Sequence, residues 1–548
     1  MWRDLARVLR LWRPQAGWLL LGLAMAAASA LLGLALLALA GQGVAAAIGS
    51  AGLAGVAALL WLRPLVLLRP AARWAERMLT HDAAFRALAD TRVWFFRRLA
   101  ERMPAGIGLA RAGDLLGRLV ADVEALDGLY LRALVPATAA LVSVLAVTLL
   151  LGAVPALAAL VAAPLLAALL LPLLLAPGAA RAAADVARAQ GRLRAAAVDP
   201  LTGIEDTLAA NAEARAGVAL EREGAALAAA QRRLAWRAAW AGAAGTVLAQ
   251  AALLGALAWG LAAGSAGAAM AALALFLAVA AAEALGLLPR AGAALAAAAA
   301  GAGRLFQAAD APVPVPDPAV PAAAPAGHAI RLEGVRFRWA PDRPPVFDGL
   351  DLDIPEGTHL ALLGPSGAGK SSLAALLLKL AAPEAGRITL GGVPLEALAA
   401  EEVRGRIACL TQDARLFGDS IAANLRIAAP LAPDAALWRA LDRAGIGGLV
   451  RALPEGLATF CGEGGARFSG GQARRLALAR VLLSAAPVVV LDEPTAGLDA
   501  ATERAFLETL GQVLAGRTVI LITHRLVGVE RPSRIMRLVA GRAIPATG

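Results

Sequence analysis

The sequence predicts a multidomain membrane protein, in which an all-α domain with six transmembrane helices precedes a soluble α/β domain. Three long uncharged runs, a proline-rich segment and a glycine-rich loop motif, in that order along the chain, predict this architecture. Of the 548 residues, 59% are apolar and 17% are charged, whereas soluble proteins carry roughly 45–50% apolar and about 25% charged residues. The composition therefore excludes a purely soluble enzyme, a disordered chain and a fibrous repeat.

The uncharged runs cover residues 14–62, 133–180 and 238–282, which contain no Asp, Glu, Lys or Arg. A membrane-spanning helix needs about 20 apolar residues, so each run is long enough for two helices joined by a short turn. Turns are expected near residues 41–43, 152–155 and 264–267. Together with helices that continue the spans into the cytosol, these hairpins predict a transmembrane domain over residues 14–310.

The segments between the hairpins, residues 63–132 and 181–237, are rich in arginine, whereas the three turns carry no charge. Because basic segments stay on the cytoplasmic side of a membrane, both termini and the soluble domain are expected in the cytoplasm. The net charge of +11 lies largely beside the apolar runs, which favours an anionic membrane face over nucleic acid as a partner. Residues 1–13 interleave tryptophan and leucine with arginine at helical spacing, which predicts an interfacial elbow helix.

A proline-rich segment follows the membrane domain. Residues 311–327 contain six prolines and are not expected to form a helix or a strand, so they predict an extended linker. Residues 328–548 have ordinary charge and mixed strand and helix patterns, which predicts the soluble α/β domain. The two cysteines, Cys409 and Cys461, provide no disulfide framework and suit a reducing compartment.

The soluble domain carries a phosphate-binding motif between a predicted strand at 359–363 and a predicted helix. The motif, Gly364-Pro-Ser-Gly-Ala-Gly-Lys-Ser371, has the spacing G-x-x-x-x-G-K-[ST]. Its glycines let backbone N–H groups surround a phosphate, and the helix N-terminus adds a positive dipole. Lys370 is expected to reach the β- and γ-phosphates of ATP, and the Ser371 hydroxyl to bind Mg²⁺. The predicted ATP-binding residues of the loop are Gly364, Pro365, Ser366, Gly367, Ala368, Gly369, Lys370, Ser371 and Ser372.

A second predicted strand, residues 488–491, ends in Asp492 and Glu493. An acidic residue at the carboxyl end of a strand, beside a phosphate loop, is suited to bind Mg²⁺ through water. The adjacent Glu493 is placed to polarise an attacking water molecule. Residues 328–548 are therefore predicted to be a nucleotide-binding domain with a phosphate loop, a Mg²⁺ ligand and a carboxylate that can activate water.

Between these motifs lies Phe468-Ser-Gly-Gly-Gln472, and the whole series resembles the ATP-binding-cassette (ABC) family, whose signature is Leu-Ser-Gly-Gly-Gln. The resemblance implies an ABC cassette of the P-loop NTPase fold that works in pairs. Ser469, Gly470, Gly471 and Gln472 would then bind the ATP held by a partner's phosphate loop. It further implies roles for Trp339 in stacking on the nucleotide, for Gln412 as the Q-loop glutamine and a Mg²⁺ ligand with Ser371 and Asp492, for Asp499 in the D-loop, and for His524 as the switch histidine. The candidate catalytic residues are Glu493, His524, Gln412 and Asp499.

Six spans with cytosolic extensions ahead of one cassette resemble an exporter-type ABC half-transporter. Residues 73–82, 92–98 and 113–132 are similar to the CydC type of half-transporter. That resemblance implies a CydD-like ABC half-transporter as a heterodimeric partner and a multi-pass location in the bacterial inner membrane. It implies export of small-molecule thiols (cysteine or glutathione), of haem, or of both, in support of cytochrome bd assembly.

A helical face within the same segment is a candidate haem site. Arg73, Arg77 and His81 recur every four residues, and haem uses histidine for its iron and arginine for its propionates. The alternative is a solvated basic face of a cytosolic helix.

Two other functions remain open from the sequence. A homodimeric lipid or multidrug ABC exporter would share every cassette motif. A soluble ABC ATPase that acts on nucleic acid would explain the cassette and the net charge, but the three uncharged runs oppose it.

Overall fold

The computed structural model describes residues 2–48, 52–102, 117–365, 367–412, 414–495 and 500–546. The chain divides into two compact units, with the division between Ala311 and Pro312 along the sequence. The described part of the first unit is helical, and the second unit mixes strands and helices. This is the predicted order of an α domain before an α/β domain.

The first unit is built from long apolar helices. Its main helices are α1 (Trp2–Leu11), α2 (Ala16–Ile48), α3 (Gly52–Arg102), α4 (Val135–Leu151), α5 (Pro155–Thr202), α6 (Ile204–Ala209), α7 (Glu213–Leu285) and α8 (Pro289–Ala309). Two π-helical turns, Arg118–Asp122 and Tyr130–Leu134, precede α4 on either side of the short helix Asp127–Leu129.

Among the described residues, five helical stretches are long and apolar enough to cross a membrane. They are Arg13–Ala46, Leu119–Leu150, Pro155–Thr202, Glu213–Ser265 and Gly267–Ala309. The remaining predicted span, the second along the chain, falls on α3. The helical unit therefore has the length and composition of a multi-pass membrane domain.

Two of the three predicted hairpin turns are present. The helix breaks at residues 152–154, and Gly264, at φ 64° and ψ −152°, interrupts α7. The prediction of a turn at residues 41–43 is wrong, because α2 continues through Gly41 to Ile48. Gly41 serves packing instead, since a Cβ there would lie 3.0 Å from the Phe276 Cβ and 3.2 Å from the Leu273 Cα. The glycine allows close approach of two apolar helices rather than ending one.

The second unit is an α/β cassette with two sheets. Its strands are β1 (Ile330–Phe337), β2 (Phe347–Ile354), β3 (His359–Leu363), β4 (Ala385–Leu390), β5 (Val393–Pro394), β6 (Ile407–Leu410), β7 (Val488–Asp492), β8 (Thr518–Thr523), β9 (Arg534–Val539) and β10 (Arg542–Pro545). Its helices are α9 (Lys370–Leu377), α10 (Ala400–Arg406), α11 (Ile421–Arg426), α12 (Asp434–Arg443), α13 (Gly447–Ala452), α14 (Gly470–Leu483) and α15 (Ala500–Val513).

The larger sheet positions the functional motifs. Its order is β10-β9-β3-β8-β7-β6, and all neighbouring strands except β10 and β9 run parallel. The smaller sheet, β2-β1-β4-β5, is antiparallel. In the larger sheet, the residues that follow β3, β7 and β8 meet at one edge, which is where ligands bind in open α/β sheets.

The proline-rich linker is attached to the cassette. Residues 311–329 form neither helix nor strand, but the Lys379 ammonium donates to Asp317 Oδ1 at 2.9 Å and to the Leu398 carbonyl at 2.5 Å. The same Asp317 oxygen accepts the Ala400 N–H at 2.8 Å. Burial opposes ionisation of Asp317, but these hydrogen bonds and the nearby positive charges outweigh it and hold the pKa of its carboxyl below the usual range. The linker is therefore a strap on the cassette rather than a free spacer.

We expect Asp317→Ala to loosen this strap. The Lys379 side chain is 2% exposed, so losing its carboxylate partner should lower the free energy of unfolding by about 1–3 kcal/mol. Because the folded pKa of Asp317 is below its unfolded value of roughly 3.9, the stabilisation is present above that pH and is lost as the pH falls below it. Thermal unfolding and the rate of protease cleavage within the linker measure the effect. Asp342→Ala, at an exposed position in the same unit, is the control, and equal midpoints for the two variants would contradict the strap.

Candidate functional site

The phosphate loop joins β3 to α9, as its motif predicts. Gly367 and Gly369 adopt φ angles of 82° and 98°, a region that residues with a side chain rarely occupy. A Cβ on Gly369 would also lie 2.8 Å from the Phe347 ring. Glycine is therefore required at 369 both for the turn and for the close approach of β2. Ser366, also predicted to bind ATP, lies outside the described residues.

Lys370, the first residue of α9, folds back over the loop. Its ammonium donates to the Gly364 carbonyl at 2.7 Å and to the Pro365 carbonyl at 3.1 Å. Burial lowers the pKa of this ammonium, and the charges of Glu493 and Asp492 oppose the shift. A phosphate group would replace the two carbonyls as a stronger, charged acceptor.

Asp492 ends β7 beside the loop. Its Oδ2 accepts the Ser371 hydroxyl at 2.6 Å, and the residue is 2% exposed. Burial raises the pKa of this carboxyl, and the charge of Glu493 adds to the shift. Two of the three residues predicted to hold Mg²⁺, Ser371 and Asp492, are thus in direct contact.

Glu493 lies at the centre of the predicted catalytic group. Its Oε1 is 2.6 Å from His524 Nε2, and its Oε2 is 3.5 Å from Gln412 Nε2. Its backbone has a φ of 50°, and its N–H donates to the Ile522 carbonyl at 2.9 Å. A positive φ costs a glutamate about 1–2 kcal/mol, so the strand-end hydrogen bond holds a strained residue in place. The structure brings Glu493, His524 and Gln412 together, whereas Asp499 lies outside the described residues.

Trp339 approaches the loop from the other side. Its indole N–H donates to the Ser372 hydroxyl at 3.0 Å, and its ring contacts Phe337 edge to face at 5.1 Å. The residue is 44% exposed, so part of its ring is available for stacking. These residues enclose a cavity of about 270 Å³, lined by Trp339, Val346, Gly367, Gly369, Lys370, Ser371, Ser372, Gln412, Asp492, Glu493 and His524.

The signature motif is at the start of a different helix. Ser469 caps α14, with the Gln472 N–H donating to its hydroxyl at 3.4 Å and its own N–H donating to Gln472 Oε1 at 3.0 Å. Ser469 and Gly470 are exposed. No described residue of the motif lines the cavity around the phosphate loop.

Arg474 contacts the site, although no sequence motif predicts it. From α14, this side chain donates to the Gln412 carbonyl at 2.8 Å and to the Asp492 carbonyl at 2.5 Å. It therefore ties the Q-loop to the end of β7 without lining the nucleotide cavity. Only its position in the basic helix after the signature motif hinted at a role. Val346 also lines the cavity, but an apolar residue outside any motif does not predict a role in nucleotide binding.

The candidate haem residues lie on α3. Arg73 donates to Glu283 Oε1 at 2.7 Å, so this arginine already has a carboxylate partner on α7. Arg77 and His81 are exposed, and the His81 Nδ1 is 3.0 Å from the Arg77 carbonyl oxygen.

Comparison with known proteins decides the family. The model of the ABC transporter family matches residues 347–496. The chain is 33% identical, over 99% of its own length and 96% of the relative's, to the glutathione/L-cysteine transport system ATP-binding/permease protein CydC of Escherichia coli. The chain belongs to the ABC exporter family. It is a half-transporter that resembles CydC, and it couples ATP hydrolysis to transport across a membrane, so the predicted family and enzyme class are confirmed.

Other ABC exporters match the chain less completely or less closely in sequence. The ATP-dependent lipid A-core flippase of Chromohalobacter salexigens is 40% identical over 215 residues, which is 39% of this chain and 37% of the flippase. The structure of a bacterial Atm1-family ABC exporter with ATP bound has a TM-score of 0.84, covering 97% of this chain and 94% of that one at 24% identity. That likeness concerns the fold, and it confirms the predicted fold class of exporter-type helices before a cassette.

For this ABC exporter we expect Arg474→Met to lower kcat for ATP hydrolysis more than it raises KM for ATP. The side chain positions Gln412 and Asp492 through their carbonyls, and a displacement of catalytic groups by about 1 Å can cost up to about 100-fold in rate. Steady-state ATPase assays on the assembled transporter measure both constants. Arg475→Met is the matched control, because Arg475 donates to the Gly445 carbonyl instead. Equal kcat values for Arg474→Met and Arg475→Met would show that Arg474 does not position the catalytic groups.

Proposed function

We propose that the chain is one half of a heterodimeric ABC exporter, with a CydD-like half-transporter as its partner. It would export thiols (cysteine or glutathione), haem, or both across the bacterial inner membrane in support of cytochrome bd assembly. The observation that carries the proposal is the similarity to CydC over 99% of the chain, which includes the helical unit. Substrates of exporters are selected by the membrane domain, so similarity along that domain bears on the substrate.

The orientation follows from charge. The arginine-rich residues 63–132 and 181–237 lie between the uncharged runs. The positive-inside rule then assigns them, both termini and the cassette to the cytoplasm. ATP and a cytosolic substrate would reach the transporter from the same side.

ATP hydrolysis would use the residues gathered at the phosphate loop. Lys370 would bind the β- and γ-phosphates in exchange for its two carbonyl contacts. Glu493 would accept a proton from the attacking water, since its carboxylate is held at the cavity by His524 at 2.6 Å. His524 would then stabilise the charge that develops on the γ-phosphate, and Gln412 would sense that phosphate.

The residues at the loop also fit Mg²⁺. Ser371 and Asp492 present oxygen atoms 2.6 Å apart, and Gln412 lines the same cavity. Oxygen ligands are those that Mg²⁺ prefers. Bound there, the ion would neutralise phosphate charge.

The signature motif would act on the partner's ATP. Ser469, Gly470, Gly471 and Gln472 do not line the chain's own cavity, yet Ser469 and Gly470 are exposed at a helix N-terminus, where an anion binds readily. A second cassette facing this helix would complete one ATP site with it.

A homodimeric lipid or multidrug exporter is the alternative. The flippase similarity, 40% identity over 215 residues, favours it. That similarity extends over 39% of the chain, a length comparable to the cassette.

The α3 face fits haem through His81. If its Nδ1 donates to the Arg77 carbonyl, its Nε2 lone pair is available to iron. Trp74, Met78 and Phe85 share this face and are 67%, 52% and 61% exposed, which offers apolar surface to the ring. Haem held there would supply an absorbing, redox-active iron.

Inside-out vesicles that contain the chain and a CydD-like partner test the proposed function. We expect ATP-dependent uptake of radiolabelled cysteine or glutathione. Glu493→Gln should still bind ATP, but it should nearly abolish turnover and uptake, because the amide cannot accept the proton. Glu455→Gln, at an exposed glutamate of the cassette, should behave as wild type. Lipid transport by the chain alone, without thiol uptake, would favour the flippase alternative.

For haem, we expect His81→Ala to shift or bleach the Soret band of the haem-loaded transporter, because an axial ligand is removed. Arg77→Ala should weaken haem binding with a smaller spectral change, since it would contact a propionate. Basal ATP hydrolysis should persist in both variants. An unchanged spectrum in His81→Ala would exclude His81 as a ligand.

A further inference from the structure

A large cavity in the helical unit is not explained by ATP hydrolysis or by the haem face. It has a volume of about 590 Å³ and lies between the π-helical turn Arg118–Asp122, α5, α7 and α8. Cavities that bind small molecules have volumes of roughly 300–1,000 Å³. Most of its lining residues are alanine or glycine, so the polar ones stand out: Asp122, Arg188, Gln190, Arg194 and Arg304.

The three arginines on the cavity wall differ in whether they pair with a carboxylate. Arg304 binds Asp122 through two hydrogen bonds of 2.5 and 2.9 Å, and Arg188 pairs with Asp185 at 2.5 Å. Arg194 makes no ion pair with an acidic residue in the described part of the chain, and one of its guanidinium nitrogens would lie 3.4 Å from a Cβ on Gly117. The side chain thus reaches from α5 towards the opposite wall, and it leaves the cavity with a positive charge that has no acidic partner there.

The backbone of the cavity wall has two unusual features near Asp122. Asp122 lies in a π-helical turn, a departure from α-helix that is frequent at functional sites. A Cβ on Gly301 would lie 2.8 Å from the Asp122 carbonyl oxygen, so glycine is needed for α8 to approach this turn. The Asp122 side chain is 8% exposed, so its charge is shielded from solvent and is matched by Arg304. Arg194, by contrast, is exposed and available to a ligand.

We propose that this cavity binds a small carboxylate-bearing solute, with Arg194 as the residue that recognises the carboxylate. A guanidinium pairs with a carboxylate through two parallel hydrogen bonds, which gives both affinity and orientation. Gln190 adds a donor and an acceptor suited to a peptide group. The identification of the solute as an amino-acid or peptide thiol rests on the proposed function.

The place of the cavity along the chain agrees with substrate entry. Its lining residues at 117–125, 183–194 and 234 fall within the arginine-rich segments, and those at 293–304 follow the third uncharged run, so the lining lies outside all three runs. Under the orientation proposed above, this is the cytoplasmic end of the membrane domain. A solute leaving the cytosol would meet Arg194 before the apolar spans.

The test uses the assembled transporter in vesicles of zwitterionic lipid, with reduced glutathione and its diethyl ester as probes. Arg194→Gln should raise the KM for glutathione transport about tenfold or more, as expected for one lost charge-assisted hydrogen bond, while kcat changes little. Arg194→Lys should recover part of the loss. Transport of the ester, which lacks the carboxylate charges, should be equal in wild type and Arg194→Gln. Arg181→Gln, which removes an exposed arginine of the same helix outside the cavity, is the matched control.

The outcomes separate this site from the proposed function. If wild type transports glutathione and Arg194→Gln has the same KM, the cavity site is wrong and thiol export stands. If wild type transports neither glutathione nor cysteine, the thiol-export part of the proposed function fails, and this assignment fails with it. A loss that is equal for glutathione and its ester, or that Arg181→Gln reproduces, would assign Arg194 a structural role and overturn carboxylate recognition.

Discussion

The buried carboxylate of Asp492 is the constraint on which the arrangement of the cassette depends. A carboxylate removed from water must be matched by donors or charges, or it is too costly to keep. Here Ser371 supplies a hydrogen bond from the start of α9, and Lys370 contributes nearby charge. Arg474, from α14, binds the carbonyl of the same residue. Asp492 therefore joins the C-terminal end of β7 to the phosphate loop and to α14. Glu493 follows Asp492 directly in the sequence.

That junction explains why some of the site could be predicted from the sequence and some could not. The phosphate loop is a contiguous strand–loop–helix unit, so its spacing alone carries the geometry. A rule about strand ends that holds for any parallel sheet predicts the positions of Asp492 and Glu493. Arg474 reaches residues 62 and 18 positions away, and no local pattern predicts such a contact. The same holds for Asp317 and Lys379, which are 62 residues apart.

The helical unit limits prediction for another reason. Its apolar runs predict long helices, but a glycine within such a run can indicate either of two opposite things. Gly264 breaks a helix, whereas Gly41 allows helix packing, and which of these applies depends on the neighbouring helix. Charges behave similarly: the spacing of arginines on α3 predicts a shared face, yet Glu283 on α7 pairs with Arg69 and Arg73 of that face. Periodicity identifies a face, and only the fold identifies what it contacts.

The two lysines show again that the fold decides what a charged side chain contacts. The chain has only two lysines, Lys370 and Lys379, among its 52 basic residues, and both are buried in the cassette. The Lys370 ammonium donates to two backbone carbonyls, those of Gly364 and Pro365. The Lys379 ammonium donates to the Leu398 carbonyl and to the Asp317 carboxylate. A compact ammonium with three donors fits such a narrow site, whereas a planar guanidinium, suited to paired acceptors and exposed faces, does not. In a sequence that otherwise uses arginine, a lysine therefore marks a buried site where the shape of the cation matters as well as its charge.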